Sequence, residues 1–211
     1  MSYSHYEYYK DFLYLEEANK LLKYMQDEIP WTQVRYFKPE RGYIITPRLT
    51  WVSGFHQEEY YSTKDVEPNP IPEFLLPLKD LIEDYLKTNF NYMIFSKYRD
   101  QNDSITYHSD DESFLGKNPT IATLTLGCSR PFVLKNKKTK ADSSFNLSHG
   151  DLFVMKNNCQ KDYFHAIPKQ KKPTGERFSI TFRKSLNEAG SKNYYKYNLG
   201  KTYQNTYIKE T

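Results

Sequence analysis

Cysteine is nearly absent from this chain. There are two in 211 residues, Cys128 and Cys159, too few for a disulfide framework, so the protein is expected to work in a reducing, intracellular compartment, nuclear or cytoplasmic. There is no CxxC pair, which excludes the common zinc-ribbon and zinc-finger patterns. Nor is there any apolar run long enough to span a bilayer, and the start, Met-Ser-Tyr-Ser-His, carries no apolar leader core, so no membrane association is expected. Charge of one sign is not in large excess either. The balance is +4 with a pI near 8.8, compatible with a polyanionic partner without requiring one. No internal repeat is evident. What is abundant is aromatic: 20 Tyr and 13 Phe, enough to build a core and still line pockets.

Two amphipathic stretches are helical in pattern. Residues 11–29, DFLYLEEANKLLKYMQDEI, space their apolar positions at helical intervals and are closed by Pro30. A second helix is expected near 74–88, with Pro77 in its first turn. Residues 31–63 are extended in pattern. From residue 91 onward short alternating segments follow one another: 91–98, 120–127, 130–136, 143–150, 151–157 and 177–185, separated by Asn, Gly, Pro and Lys turns. That spacing indicates a mainly β (α+β) domain, a sandwich or open barrel with helices on one face. Residues 187–211 are a polar tail. The chain divides into an N-terminal helix (1–29), a main domain (30–186) and this tail, and is expected to be a monomer.

One stretch asks for a chemical explanation. YHSDDESFLG places His108, Asp110, Asp111 and Glu112 within five positions. Crowded carboxylates raise one another's pKa unless they are solvated or share a cation. On extended chain, His108 and Asp110 point to the same side, as two ligands of one metal would. Of the remaining histidines, His5 falls in a terminus expected to be mobile and His56 in a loop. His149 sits in a tight SHGD turn and reads as structural. His165, before the turn-forming Pro168, is the best third ligand on pattern alone. Two His and one carboxylate on a β scaffold are the ligand set of non-haem Fe(II) oxygenases. Taken by itself, though, a lone HxD is more often a solvated turn. Arg177 and Arg183, six apart in RFSITFRK, share a strand face. If that face is inward they require an anion, and a dicarboxylate would suit two guanidinium groups. If it is outward they are ordinary surface charges.

Together these segments resemble the AlkB family of Fe(II)- and 2-oxoglutarate-dependent dioxygenases, closest to the eukaryotic branch that repairs alkylated DNA and RNA. The stretches that carry the resemblance are PRLTWVSG, SKYRDQNDSITYHSDDESFLG, PTIATLTLGCSRPFVLKNKK, LSHGDLFVM, FHAIP and ERFSITFRK, in family order across roughly residues 30–186. The resemblance implies a double-stranded β-helix (jelly roll) with N-terminal supporting helices, a nucleotide-recognition lid over 30–66 and a jelly-roll core over 90–186. It places the Fe(II) ligands on His108, Asp110 and His165, and 2-oxoglutarate on Tyr98, Arg177 and Arg183, with O2 as the oxidant. Two positions depart from the family pattern, because Ser96 and Ser179 stand where asparagine is usual. Serine reaches less far, so weaker cosubstrate binding is expected. On the substrate side the resemblance points to Tyr61 and Trp51 as stacking platforms for a base that is single-stranded or flipped. Asp111 and Glu112 would face a cationic lesion such as 1-methyladenine or 3-methylcytosine, and Arg48 would meet phosphate. The implied reaction is oxidative demethylation of DNA or RNA. The alternatives are the same oxygenase chemistry on a protein or small molecule, and a module that binds a base without turnover.

Overall fold

The alternating segments become strands that pair into two facing antiparallel sheets. The computed structural model describes residues 4–33, 35–38, 42–54 and 69–186. In chain order the elements are β1 (Tyr6–Tyr9), α1 (Leu15–Asp27), β2 (Arg35–Lys38), β3 (Gly42–Ile45), β4 (Leu49–Gly54), α2 (Leu76–Leu86), β5 (Tyr92–Tyr98), β6 (Ile105–His108), β7 (Ile121–Gly127), β8 (Arg130–Asn136), β9 (Asp142–Leu147), β10 (Leu152–Met155), α3 (Cys159–Asp162), β11 (Tyr163–Ile167) and β12 (Arg177–Arg183). The larger sheet runs β1-β10-β7-β12-β5-β4, the smaller β6-β11-β8-β9, and β2 and β3 form a separate hairpin ladder. Two such sheets with two helices against one of them are the jelly-roll arrangement expected.

Strand alternation decides what each sheet face does. On β12, Phe178, Ile180 and Phe182 point to one side with Met93 and Phe95 of β5 and with Leu124 and Leu126 of β7. There they meet Ala18, Leu21 and Met25 of α1 and Leu78 and Ile82 of α2. Burying side chains of this size contributes about 1.5–3 kcal/mol each. The intervening residues Arg177, Ser179, Thr181 and Arg183 therefore face the opposite way, into the space between the sheets. The rest of that space is closed by Phe132, Leu134, Leu147, Phe153 and Ile167. β7 turns into β8 at Gly127, whose φ is +80°, and a Cβ there would come within 2.6 Å of the Glu176 carbonyl oxygen.

Both helices are shorter than the apolar spacing predicts. The first begins at Leu15 because the Leu13 N–H donates to the Gly150 carbonyl and holds the preceding residues off the helix. The second is entered through a 3-10 turn, Glu73–Leu75, with Pro77 in its first turn as expected. The N-terminus departs from expectation altogether. Tyr6–Tyr9 form a strand paired with β10, and His5 lies 3.0 Å from the Asp162 carboxylate. The cause is aromatic alternation: Tyr6 and Tyr8 point inward against Phe145 and Phe153. Asp151 secures the strand by accepting from the Tyr8 hydroxyl (2.6 Å), the Asp11 N–H (3.0 Å) and the Ser148 N–H (2.8 Å).

Candidate active site

The pocket between the sheets is floored by rungs of paired residues. Arg177 lies beside Tyr98, Ser179 beside Ser96, and Thr181 beside Ile94, across β12 and β5. On the other side of β12, Ser179 pairs with Thr125 and Thr181 with Thr123. The opposite wall comes from the smaller sheet, where β11 and β6 set His165 directly across from His108. Their rings lie 4.1 Å apart, centre to centre.

Asp110 follows two residues after the end of β6, and its carboxylate sits between the two imidazoles. Each His Nε2 is 3.7 Å from one of its oxygens. One ligand atom from each of the three residues can be chosen so that all lie within 4.8 Å of one another. The protonation pattern suits a cation. His108 Nδ1 lies 2.8 Å from the Thr106 carbonyl oxygen, which can only accept, so Nδ1 donates and, in the neutral imidazole, Nε2 is the nitrogen that carries the lone pair. Burial drives the pKa of His165 down to about 3, so that ring is neutral. Burial also raises the Asp110 carboxyl, but neighbouring positive charge, that of Arg183 first, holds the group below the usual carboxylate range. Arg183 Nη2 donates to Asp110 Oδ1 at 2.8 Å, while Asp110 Oδ2 is buried with no hydrogen-bond donor among the described residues. A buried anionic oxygen without a donor beside two imidazole lone pairs is a fit for a divalent ion that retains open positions.

At the other end of the floor Arg177 is a buried cation, 1% exposed. Its Nη1 donates to Ser179 Oγ (3.3 Å) and its Nη2 to Thr125 Oγ1 (2.8 Å), and its guanidinium lies 5.1 Å from the centre of the Tyr98 ring. Among the described residues no carboxylate lies within 4 Å of it. Burial lowers its pKa to about 10. A desolvated guanidinium with only neutral partners is a standing site for a carboxylate.

The chain matches the 2OG-Fe(II) oxygenase superfamily over residues 5–183. It belongs to that superfamily. Mouse alpha-ketoglutarate-dependent dioxygenase alkB homolog 3 is 34% identical over 187 residues, covering 83% of this chain and 64% of that protein. The DNA oxidative demethylase ALKBH2 of Arabidopsis thaliana is 30% identical over 213 residues, covering 83% and 65%. The chain thus spans a little under two thirds of these relatives' length. Among solved structures, OsALKBH1 superposes with a TM-score of 0.64 at 15% identity, covering 87% of this chain and all of that one. The AlkB resemblance and the jelly-roll fold expected from sequence are both borne out, and the superfamily's reactants, Fe(II), 2-oxoglutarate and O2, are those expected.

Within this oxygenase fold, the pocket brings together His108, Asp110, His165, Tyr98, Ser96, Arg177, Ser179 and Arg183. Arg48, expected from sequence to meet phosphate, joins them in the pocket. It is 9% exposed and lines the pocket, because it immediately precedes β4 on the inward face. Trp51 is a correction. It pairs with Phe95, and both point to the helix side, so the indole is core and not a platform for a base. Asp111 is exposed and Glu112 half-buried, and neither lines the pocket. Tyr61 lies outside the described residues, as does much of the expected lid. His149 is structural, as read, since its Nδ1 accepts the Gly127 N–H at 3.0 Å. Sequence reasoning missed Thr123, Thr125 and Thr181, although the alternation of Thr123 and Thr125 in TIATLTLG, and of Thr181 with the two arginines in RFSITFRK, was the available signal. It also missed Arg130, fully buried, which donates to the carbonyls of Asp100, Asp103 and Pro168.

Proposed function

We propose that this protein is an Fe(II)- and 2-oxoglutarate-dependent oxidative demethylase of N-alkylated bases, 1-methyladenine and 3-methylcytosine among them, in DNA or RNA. The observation that carries the reading is the convergence of a His-Asp-His set and two inward arginines on one pocket. The names of the sequence relatives support the class of substrate. In this reading His108, Asp110 and His165 hold the iron. Arg177 and Tyr98 take the distal carboxylate of 2-oxoglutarate, with the hydroxyls of Ser96 and Ser179 beside it, and Arg183 acts at the end near the metal. The bound iron, 2-oxoglutarate and O2 supply the oxidation, giving succinate, CO2 and a hydroxylated N-methyl group. The hydroxymethylated base then loses formaldehyde and is restored.

The protein's own part is orientation and charge. Arg183 fixes one oxygen of Asp110 and leaves the other for the metal. The apolar walls from Ile94, Phe132 and Ile167 exclude water around the reacting carbon. On the substrate side, Arg48 acts from the pocket wall, and the carboxylates of Asp111 and Glu112, which follow Asp110 in the chain outside the pocket lining, attract a cationic base by Coulomb interaction at a distance.

The test is release of succinate and formaldehyde from oligonucleotides carrying 1-methyladenine or 3-methylcytosine, in single-stranded DNA and RNA, with His108→Ala as control. Matched release that disappears in the variant is expected. Succinate without formaldehyde on all four would reject nucleic-acid demethylation and point to a protein or small-molecule substrate. Iron binding with neither product would point to a binding module.

A further inference from the structure

Asp110 lies beyond the last residue of β6, where no strand ladder reaches its backbone. A metal ligand in such a place needs its main chain fixed by something else, because a small change in backbone torsion swings the carboxylate out of register with the two imidazoles. Two side-chain bonds tie this segment down. Ser109 Oγ donates to the Tyr163 carbonyl at 3.0 Å, and the Asp110 N–H donates to Gln160 Oε1 at 2.9 Å.

Gln160 belongs to α3, the single helical turn that joins β10 to β11, and it is 3% exposed. Its orientation follows from its partners. Only the amide oxygen can accept an N–H, so the nitrogen faces Met155 Sδ, 3.3 Å away. The turn itself is anchored from outside. Lys137, the first residue after β8, donates through Nζ to the Gln160 carbonyl (2.8 Å) and through its backbone N–H to the Asp162 carbonyl (2.8 Å). Its ammonium also sits 4.6 Å from the centre of the Phe164 ring. A chain of contacts therefore runs from the basic β8–β9 turn through α3 to the backbone of Asp110.

We propose that Gln160 is a positioning residue for the metal ligand Asp110, and that Lys137 holds Gln160 in place. Arg183 fixes one carboxylate oxygen, Gln160 fixes the backbone, and Oδ2 is left presented to the ion. Gln160 touches no reacting atom, and its effect is exerted through Asp110. The proposal rests on the reading of His108, Asp110 and His165 as metal ligands.

The experiment is Mn(II) titration of the full chain, followed by calorimetry and by the electron paramagnetic resonance signal of free Mn(II). It compares wild type, His108→Ala, Gln160→Met, Gln160→Glu and Lys137→Met. Methionine matches the size of glutamine and removes the acceptor, whereas glutamate keeps an oxygen for the Asp110 N–H. Gln160→Met is expected to weaken Mn(II) binding about 10–100-fold, the range seen for outer-shell partners of metal ligands. Gln160→Glu should bind within a few-fold of wild type, and Lys137→Met should fall between the two. Melting temperatures without metal are recorded for each variant, because a purely structural role would lower stability in both Gln160 variants and spare the difference in affinity. Equal affinity in Gln160→Met and wild type overturns the proposal, as does equal loss in the methionine and glutamate variants. Wild-type protein that binds Mn(II) no better than His108→Ala overturns the metal reading itself, and the proposal with it.

Discussion

Arg177→Met separates a structural arginine from one that waits for a ligand. The guanidinium is buried with neutral partners, and burial takes its pKa from 12.5 to about 10. That fall, the net of burial, the Arg130 charge and the opposing Tyr98 contact, corresponds to roughly 3 kcal/mol of unfavourable charge burial in the ligand-free protein. Against it stand two hydrogen bonds from a charged donor, one of them long at 3.3 Å. Together these are worth about 3 kcal/mol. Methionine discards both sides of the balance and refills most of the volume, so the ligand-free variant should lie within about 1 kcal/mol of wild type. For a domain of this size that is a shift of less than about 4 °C. Binding behaves differently. At 100 times its dissociation constant, 2-oxoglutarate adds about 2.7 kcal/mol to wild type. In the variant this stabilisation should vanish. The assay is differential scanning calorimetry in Mn(II), with and without 2-oxoglutarate. A ligand-free loss above about 3 kcal/mol would show that Arg177 holds the fold together. A cosubstrate shift retained in the variant would show that the carboxylate is anchored elsewhere. Either result refutes the reasoning.

Two further predictions concern the frame around the site. Burial raises the Asp103 carboxyl, but Arg99, through its side chain and its backbone N–H, outweighs burial and holds it below the ordinary range. Asp103→Asn should therefore cost about 1.5–3 kcal/mol at pH 7. The unfolded carboxyl titrates near 3.9, so this difference is fully present above that pH and shrinks as pH falls through the lower folded value, which urea titrations at pH 7 and pH 3 would reveal. Asp151→Ala strips the acceptor shared by Tyr8, Asp11 and Ser148. Hydrogen exchange should then speed up at the β1 amides while β5 and β12 keep their protection, and uniform loss across the sheet would contradict a local role.

The sequence makes the periodic parts of this molecule legible and leaves the aperiodic parts obscure. β5, β7 and β12 declare themselves by alternation, and the same alternation puts Arg177 and Arg183 on one face. His108 and Asp110 are readable because a spacing of two carries a geometric meaning. His165 is only the best of five histidines until the β6–β11 register sets it opposite His108. Gln160 and Arg130 could not be read, since each acts through backbone groups distant in sequence, and a lone Gln or Arg has no period. Trp51 shows the opposite error. An aromatic residue on a strand has two faces to choose from, and pairing with Phe95 decides for the core. The N-terminal strand was hidden by its shortness, four residues whose alternation is visible only beside Phe145 and Phe153.

That short strand has a consequence for handling the protein. Beneath it lies Leu-Phe-Val-Met, the whole of β10, uncharged, apolar and buried. Such a segment with free backbone groups is a template for strand addition by another chain. With β1 in place the sheet instead ends in four residues that carry Glu7, in ion pair with Lys156. Trimming the first nine residues, or fusing a partner that pulls them away, would expose β10 and open this sheet edge to edge-to-edge association that grows with concentration.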